Sequence, residues 1–261
     1  MTHAKMTQAN RKGWDGLAET HFRNYHIDRL IAGKPLLNDL IRNEVGEVAG
    51  KSLAHLLCHI GTDTLSWALL GAKVTGVDIS SESLKYARRL AKQMGISADF
   101  IQADVCEAKD RVDRKYDIVF SSTGVLCWIP DIKRYAETAR HLLIDGGFLY
   151  LFDGHPFRSV FINEKGSVKP GIIQGSYFRK DVREYDHMGD YTDPDLKVPV
   201  NSYEWHWKMG ELITAFCDAG MRIEFLHEFP RYFYNGYTPC DVDDRKSQMY
   251  PCTFSIKAVA V

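Results

Sequence analysis

The stretch AHLLCHIGTDTLSWALLGAKVTGVDIS, residues 54–80, carries the residues best suited to chemistry. Its pattern predicts a strand, a tight turn, a helix and a second strand that ends in Asp78. A carboxylate about 20 residues after such a turn is the group that binds both ribose hydroxyls of a nucleotide. Backbone N–H groups of the turn and the positive end of the helix face the same ligand. The stretch therefore predicts a nucleotide-cofactor site with Asp78 as its ribose ligand.

The composition of the turn restricts the cofactor. A dinucleotide needs a G-x-G-x-x-G turn because the backbone must approach the pyrophosphate closely. Here Leu57 and His59 occupy the first two glycine positions, and only Gly61 remains. NAD and FAD are therefore disfavoured, and a cofactor that contains adenosine but no phosphate becomes the natural candidate.

Three further motifs point to a family. The segments GAKVTGVDIS, QADV and the terminal FSIKA resemble those of class I S-adenosylmethionine-dependent methyltransferases, and the resemblance covers nearly the whole chain. It is strongest to a bacterial small-molecule branch whose turn reads approximately H-L-x-C-x-x-G-x-D-T. The family usually has an acid at the end of its first strand, where this chain has His55. The resemblance implies S-adenosylmethionine as cofactor and S-adenosylhomocysteine as product.

The resemblance also implies individual cofactor contacts. Asp78 matches the ribose-binding acid, and Ile79 beside it matches the residue that packs on adenine. Asp104 would accept from the adenine N6 amino group, while Val105 would offer its backbone N–H to N1. Ser121 matches the position in the fourth strand whose backbone meets the methionine part of the cofactor.

In the turn, Leu57, His59 and Gly61 are expected to line the methionine part through main-chain atoms, with a further contact from the His59 side chain. Asp63 lies in the first turn of the following helix, where the macrodipole favours a carboxylate. Alternatively, Asp63 replaces the missing acid of the first strand and binds the cofactor's ammonium group.

Methyl transfer from a sulfonium is an in-line displacement, so positioning and exclusion of water supply most of the rate, and a base is optional. His155 directly follows the fifth predicted strand and is the expected base or acceptor-positioning residue; the alternative is a histidine of a simple loop. Candidate acceptor-binding residues are His21 and Tyr25 near the N-terminus, Trp128 after the fourth strand, and His206.

Aromatic residues are dense outside the predicted core and could form a pocket for a planar or cationic acceptor, although most are expected to pack within a lid. The acceptor is expected to be a small organic molecule, with its nitrogen, oxygen or sulfur atom left open. These aromatic residues are Trp14, Tyr25, Trp128, Tyr177, Trp205, Trp207, Phe229, Tyr232, Phe233 and Tyr234.

The predicted fold is α/β, with a seven-stranded, mainly parallel sheet sandwiched by helices, as in class I methyltransferases. Strands are predicted at SLAHLL, KVTGV, ADFIQ, YDIVFS and GFLYLF, with helices at 62–70, 81–94 and 131–143. The expected parts are an N-terminal cap of two helices within 1–50, a core of 51–153, a lid of 154–203 with weak strands near Tyr177 and Tyr191, and a segment of 204–261. That last segment is expected to hold a helix from Tyr203 to Gly220 and two closing antiparallel strands.

Composition excludes several other classes. The formal net charge is −1, and no long basic run marks a surface for nucleic acid or an anionic membrane. The six cysteines form no C-x-x-C pair, which argues against a zinc site or a disulfide framework and for a cytoplasmic location. No apolar segment is long enough for a bilayer, and a monomer or homodimer is expected. The rival hypothesis is a sensor or carrier that binds S-adenosylmethionine without catalysis.

Overall fold

The computed structural model describes residues 2–163, 168–169, 171–193, 195–231 and 249–261. The described residues form a long N-terminal α-helix, several shorter α-helices and three short 3-10 helices. The α-helices are α1 (His3–Asn24), α2 (Ile27–Ile31), α3 (Asp39–Val45), α4 (Thr62–Leu69), α5 (Ser81–Met94), α6 (Ile132–Leu142) and α7 (Met209–Asp218). The 3-10 helices are Ala108–Asp110, Leu126–Trp128 and Pro156–Phe161.

The strands belong to one large sheet and two small hairpin-like pairs. They are β1 (Ser52–Leu56), β2 (Lys73–Asp78), β3 (Asp99–Gln102), β4 (Tyr116–Ser122), β5 (Leu143–Gly154), β6 (Arg183–Tyr185), β7 (Met188–Gly189), β8 (Lys197–Val198), β9 (Ser202–Glu204), β10 (Met221–Phe229) and β11 (Thr253–Ala260).

The large sheet has seven strands in the order β10-β11-β5-β4-β1-β2-β3. The strands from β5 to β3 run parallel, and β11 and β10 add to β5 as antiparallel strands. This arrangement confirms the predicted seven-stranded, mainly parallel sheet. The chain order reverses beside β1 and β4, and such a switch point opens a crevice at the carboxyl ends of the strands.

Alternating side chains of the central strands join two helical layers. Leu149 and Leu151 of β5 share a hydrophobic cluster with α6 and α7. Tyr150 and Phe152 lie in the cluster on the other face, together with Trp67 of α4. A strand with side chains buried on both faces needs a nearly continuous apolar sequence, which is why FLYLF was recognisable as a core strand.

The N-terminal cap contains three helices, so the prediction of two was wrong. Helix α1 begins at His3, and it packs against both α5 and the lid strands β8 and β9. Gly13 allows this packing, because a Cβ at that position would lie 2.4 Å from the Sδ of Met188. Much of α1 is polar, and its partners come from distant parts of the chain, so apolar periodicity gave a weak signal for its length.

The helix predicted from Tyr203 to Gly220 begins only at Met209. Residues 202–204 instead form β9, because the buried Asn10 side chain accepts from the Tyr203 N–H and donates to the Tyr203 carbonyl, each at 2.8 Å. His206 therefore lies in an extended segment before α7. Of the two weak strands expected in the lid, the one near Tyr191 corresponds to β7, whereas the described residues around Tyr177 form no strand and the nearest lid strand, β6, begins at Arg183.

None of the described helices is both long and apolar enough to cross a bilayer. Tyr232, Phe233 and Tyr234, which were among the candidate lid aromatics, lie outside the described residues.

Replacement of Asn10 by leucine is expected to lower the free energy of unfolding by roughly 2–4 kcal/mol, because it leaves a buried N–H and a buried carbonyl unpaired. Urea denaturation of the wild type and the variant measures this change. Asn24→Ala is the matched control, since exposed Asn24 also bonds from α1 to the lid, at Thr192. Equal losses for the two variants would contradict the role given to the Asn10 clamp.

Candidate functional site

The turn after β1 uses left-handed backbone at alternate residues. Leu57, His59 and Gly61 have φ values of 57°, 51° and 76°. Only Gly61 is also required sterically, because a Cβ there would come within 2.9 Å of the Ala87 side chain. The two non-glycine residues are strained in this region, and such strain persists only where surrounding contacts enforce it. The turn is therefore wide, and its shape depends on its neighbours.

Asp78 is the main neighbour that enforces the turn. One carboxylate oxygen accepts the N–H of His59 and the other accepts the N–H of Ser80, both at 2.8 Å. Burial raises the pKa of Asp78 to about 6, against the opposing effect of these N–H donors. Each carboxylate oxygen has a second acceptor position, so two hydroxyl donors can still be bound. The His59 N–H is already used within the turn, which leaves its imidazole and carbonyl for other contacts.

The His59 imidazole joins the turn to both the cap and the lid. Its Nδ1 lies 3.0 Å from the Ser83 hydroxyl, and its Nε2 lies 2.7 Å from the Nδ1 of His21. The Nε2 of His21 lies 2.7 Å from a carboxylate oxygen of the lid residue Asp190. With neutral rings, Ser83 can donate to Nδ1 of His59 and His59 to Nδ1 of His21, which leaves the His21 proton on Nε2, beside Asp190. Burial lowers the pKa of both histidines, so both rings are neutral.

Aromatic rings cover this polar chain. Trp14 contacts His59 edge-on, with 5.1 Å between ring centroids, and contacts Trp128 at 5.2 Å. Tyr25 stacks on His21 at 5.3 Å, and its hydroxyl bonds to that of Tyr191 in the lid. The structure thus brings the predicted residues His21, Tyr25 and Trp128 to the turn, together with His59.

Two further polar groups lie under the turn. Asp63 accepts a 2.9 Å hydrogen bond from Ser122 at the end of β4, and burial raises the pKa of the Asp63 carboxyl. His55, at the position of the family's usual acid, lies 2.8 Å from the Thr64 hydroxyl through its Nδ1. Burial lowers the pKa of His55 to about 3, so this histidine is neutral and supplies no charge.

The residues expected to bind adenine lie at the neighbouring strand ends. The carbonyl of Ile79 accepts from the Gln102 side chain, and one oxygen of Asp104 accepts the Cys106 N–H at 2.9 Å. Val105 is buried beside them. Ser121 is buried within β4, and its hydroxyl accepts from Tyr135 at 2.9 Å, so only its backbone is left for a ligand.

A cavity of about 170 Å³ opens beside this region, at the carboxyl ends of β4 and β5. Residues after β4, residues after β5, the 3-10 helix 156–161 and the segment before α7 line it. Two hydrogen bonds fix the segment before α7. The backbone N–H of Trp205 donates to the Cys127 carbonyl, and the indole N–H of Trp207 donates to the Ile129 carbonyl. Both His155 and His206 lie in the cavity wall.

His155 is buried, and both of its ring nitrogens have partners. Nδ1 accepts the Phe157 N–H at 3.0 Å, which caps the 3-10 helix, and Nε2 lies 2.7 Å from the Glu228 carboxylate. Because Nδ1 must be an acceptor, the proton of the neutral ring lies on Nε2, beside the Glu228 carboxylate. A neutral His155 in this geometry has no lone pair left to take a proton from an acceptor.

The comparisons with known proteins agree with this geometry. Residues 55–149 match a family model described as a methyltransferase domain. A ubiquinone biosynthesis O-methyltransferase from Erwinia tasmaniensis is 31% identical over 147 residues, 56% of this chain and 57% of that protein. Another of the same description, from a Shewanella species, is 28% identical over 201 residues, 76% of this chain and 79% of that protein. The chain thus spans little more than half the length of several of the curated relatives that it matches.

Solved structures share the fold over a longer span. An S-adenosylmethionine-dependent methyltransferase from Clostridium acetobutylicum superposes with a TM-score of 0.62 at 14% identity, covering 95% of this chain and 98% of that one. One from Mesorhizobium loti gives 0.59 at 21% identity, covering 84% and 95%. The chain therefore has the fold of the class I S-adenosylmethionine-dependent methyltransferases, and residues 55–149 resemble a methyltransferase domain. Both solved structures are named as S-adenosylmethionine-dependent methyltransferases.

The described residues are compatible with S-adenosylmethionine. Asp78 ends β2 and Asp104 follows β3 by two residues, and each side chain keeps acceptor positions that hydroxyl or amino donors could use. Asp63 is a half-buried acid at the start of α4, and as a carboxylate it would suit an ammonium group.

Sequence reasoning missed several residues of this candidate site. Asp15 of α1 accepts from the Ser80 hydroxyl and the Glu82 N–H, and so ties the cap to the start of α5. Asp190 and Tyr191 lie in the lid, whose irregular sequence gave no periodicity to interpret. Asp153 had a recognisable signal, since it ends a core strand as Asp78 does; its carboxylate accepts from the N–H groups of Gly124, Val125, Leu126 and Gly154.

The neutral His55 makes a prediction for pH-dependent stability. The unfolded chain takes up a proton near the ordinary pKa of 6.5, whereas the folded chain does so only near a pKa of about 3, so stability is lost as pH falls below 6.5. Between about pH 7.5 and about pH 5.5, His55 should account for a loss of about 1.4 kcal/mol in the free energy of unfolding.

The loss should be about 1.4 kcal/mol smaller in His55→Asn, measured by urea denaturation at the two pH values. His26→Asn, at an exposed position, is the control and should keep the wild-type difference. An unchanged difference in His55→Asn would contradict the assignment of a neutral, buried imidazole.

Proposed function

We propose that this protein transfers a methyl group from S-adenosylmethionine to a small organic acceptor bound in the cavity between β4, β5 and the lid. The observation that carries this proposal is the adjacency of two features along one sheet edge. The Asp78-held turn lies at the ends of β1 and β2, and the cavity begins at the ends of β4 and β5. Acceptor and cofactor can then meet at the switch point of the sheet.

Bound S-adenosylmethionine supplies an electrophilic methyl group carried by a sulfonium. The chain's residues bind and orient it: Asp78 receives the ribose hydroxyls, Asp104 the adenine amino group, and Asp63 the ammonium group. Trp14, Tyr25 and the lid cover the turn and exclude water, which strengthens each of these electrostatic contacts. Positioning of the acceptor supplies most of the remaining rate.

We assign the acceptor's proton to His206 and give His155 a positioning role, which revises the expectation from sequence. The Nε2 of His206 lies 2.8 Å from the Tyr177 carbonyl and therefore carries the ring proton, so Nδ1 is its basic nitrogen. Burial lowers the pKa of His206, which keeps it neutral near pH 7. His155 instead fixes the 3-10 helix in the cavity wall through Phe157 and Glu228.

A hydroxyl oxygen is the acceptor atom that we favour. The curated relatives are named as O-methyltransferases. A hydroxyl gains most from a base, because its proton must leave when oxygen attacks the methyl group. The described cysteines are free thiols, in keeping with a reaction in the cytoplasm.

The alternative function is a sensor or carrier that binds the cofactor without turnover, and the strained, glycine-poor turn favours it. Incubation with S-adenosylmethionine labelled on its methyl group and a metabolite extract separates the two functions. The enzyme should produce S-adenosylhomocysteine and one extract component that gains the labelled methyl group, detected by mass spectrometry. Binding of S-adenosylhomocysteine without any labelled product from the extract supports the sensor.

Asp78→Asn is expected to weaken S-adenosylhomocysteine binding by at least about tenfold, because a charge-assisted hydrogen bond is worth about 1.5–3 kcal/mol. The amide also places an NH₂ group against one of the two backbone N–H donors. Calorimetry gives the affinities, and Asp99→Asn at the exposed start of β3 is the control. Equal affinity of a folded Asp78→Asn protein would remove Asp78 from the ribose site.

His206→Asn is expected to lower turnover of the identified acceptor by roughly 100-fold or more. The wild-type rate should rise with pH through a pKa below 6.5, and this dependence should vanish in the variant. His155→Asn is the matched comparison, because its side-chain oxygen can still accept the Phe157 N–H; it should keep the pH profile. A lost pH dependence in His155→Asn and a retained one in His206→Asn would reverse the two roles.

A further inference from the structure

The acceptor cavity has an unusual concentration of arginine. Arg158, Arg179 and Arg183 all contribute to its lining, against the two acids Asp153 and Glu204. The cavity histidines do not add charge, because burial lowers the pKa of both His155 and His206. The formal balance of these side chains is therefore positive by one.

Three arginines of the cavity wall act on the pKa of one carboxyl group, that of Glu204. Glu204 of β9 is the cross-strand partner of Arg183 in β6. Burial raises the pKa of Glu204, and Arg183, Arg158 and Arg179 each act to lower it. The Tyr185 hydroxyl lies between Arg183 and this carboxylate, since it accepts from Arg183 and donates to Glu204 at 3.4 Å.

The other acids near these arginines, Asp153 and Asp181, already have partners of their own. Four backbone N–H groups already donate to the Asp153 carboxylate, so it has little capacity left for a guanidinium. Arg179 bonds to Asp181, whose side chain is 71% exposed, and an exposed pair of this kind contributes little. The Nε of Arg183 is buried and has no hydrogen-bond partner among the described residues. A guanidinium that bonds to Tyr185 but keeps a buried Nε–H donor unused has room for a further acceptor.

We propose that the acceptor carries an oxyanion group, a carboxylate or phosphate, that binds to Arg183 and Arg158 in this cavity. This proposal rests on the proposed function, because it names the chemical class of the molecule that occupies the acceptor site. The arginines then anchor the acceptor at the end away from its reacting hydroxyl. Arginine is the residue that matches planar oxyanions, since its fork of N–H donors fits two oxygens at once.

The remaining walls suit a flat molecule. Trp205, Trp207 and His206 supply rings, and Leu126 and Ile162 supply aliphatic surface. An aromatic or other planar acid would place its ring against these side chains and its anionic group against the arginines. The cavity thus combines apolar walls with a few convergent polar groups, as ligand sites do.

The experiment uses benzoate, phenyl phosphate and the neutral benzamide as probes. Calorimetry measures their binding to the protein in the presence of saturating S-adenosylhomocysteine. At least one anion should bind ten times or more tightly than benzamide, and its affinity should fall with added salt. Preference for benzoate or for phenyl phosphate then distinguishes a carboxylate from a phosphate acceptor. Arg183→Gln should reduce the affinity for the preferred anion at least tenfold, and Arg183→Lys, which keeps the charge but loses the fork, should reduce it less.

Arg114→Gln is the control, because Arg114 forms an exposed ion pair with Asp99 far from the cavity. S-adenosylhomocysteine affinity, measured on every variant, reports folding and separates the two proposals. If the wild type does not bind S-adenosylhomocysteine, the proposed function is overturned, whichever probe binds. Normal S-adenosylhomocysteine binding with equal affinities for the anions and benzamide overturns the oxyanion site alone, as does an Arg183→Gln protein that binds the anion as tightly as the wild type.

Discussion

The bond between the Asp78 carboxylate and the His59 N–H is the contact on which the rest of the site depends. A wide turn with left-handed Leu57 and His59 has no intrinsic preference for its shape, since both residues disfavour that conformation. The carboxylate holds the turn at His59 and holds the start of α5 at Ser80. The carboxylate that we expect to bind ribose therefore also fixes the backbone of the turn.

The position of His59 then determines how the cap and the lid meet. Because its backbone is fixed by Asp78, its imidazole points to His21 of α1, and His21 in turn reaches Asp190 of the lid. Three separate parts of the chain are thereby joined through hydrogen bonds that require neutral rings in one tautomer each. Burial under Trp14 and Tyr25 keeps these rings neutral by disfavouring the charged form. His59, which stands at a glycine position of the turn, thus also joins the cap to the lid.

The sequence was most informative where the signal is local. The alternating and continuous apolar runs identified the core strands, and the helix predicted at 81–94 is α5. Asp78 was recognisable because its position after a strand and a turn has one common use. These features depend on neighbours within a few residues or on one repeating unit.

Features that depend on distant partners could not be predicted. Asn10 and Tyr203 are 193 positions apart, and their bonds turn a segment with helical character into strand β9. The place of His206 changed with it, from a helix start to a cavity wall. His155 was expected to face the acceptor because of its place after β5, but its ring is held by Phe157 and Glu228, and β10 had to be positioned before that contact could be recognised.

The central claim is that a turn poor in glycine, held by Asp78, is the S-adenosylmethionine site. A crystal structure of the protein soaked or grown with S-adenosylhomocysteine tests it most directly. The account predicts both ribose hydroxyls on the Asp78 carboxylate, the adenine beside Asp104, and the Asp78 to His59 bond intact. A ligand bound elsewhere, or a turn that abandons the Asp78 bond to admit it, would contradict the account.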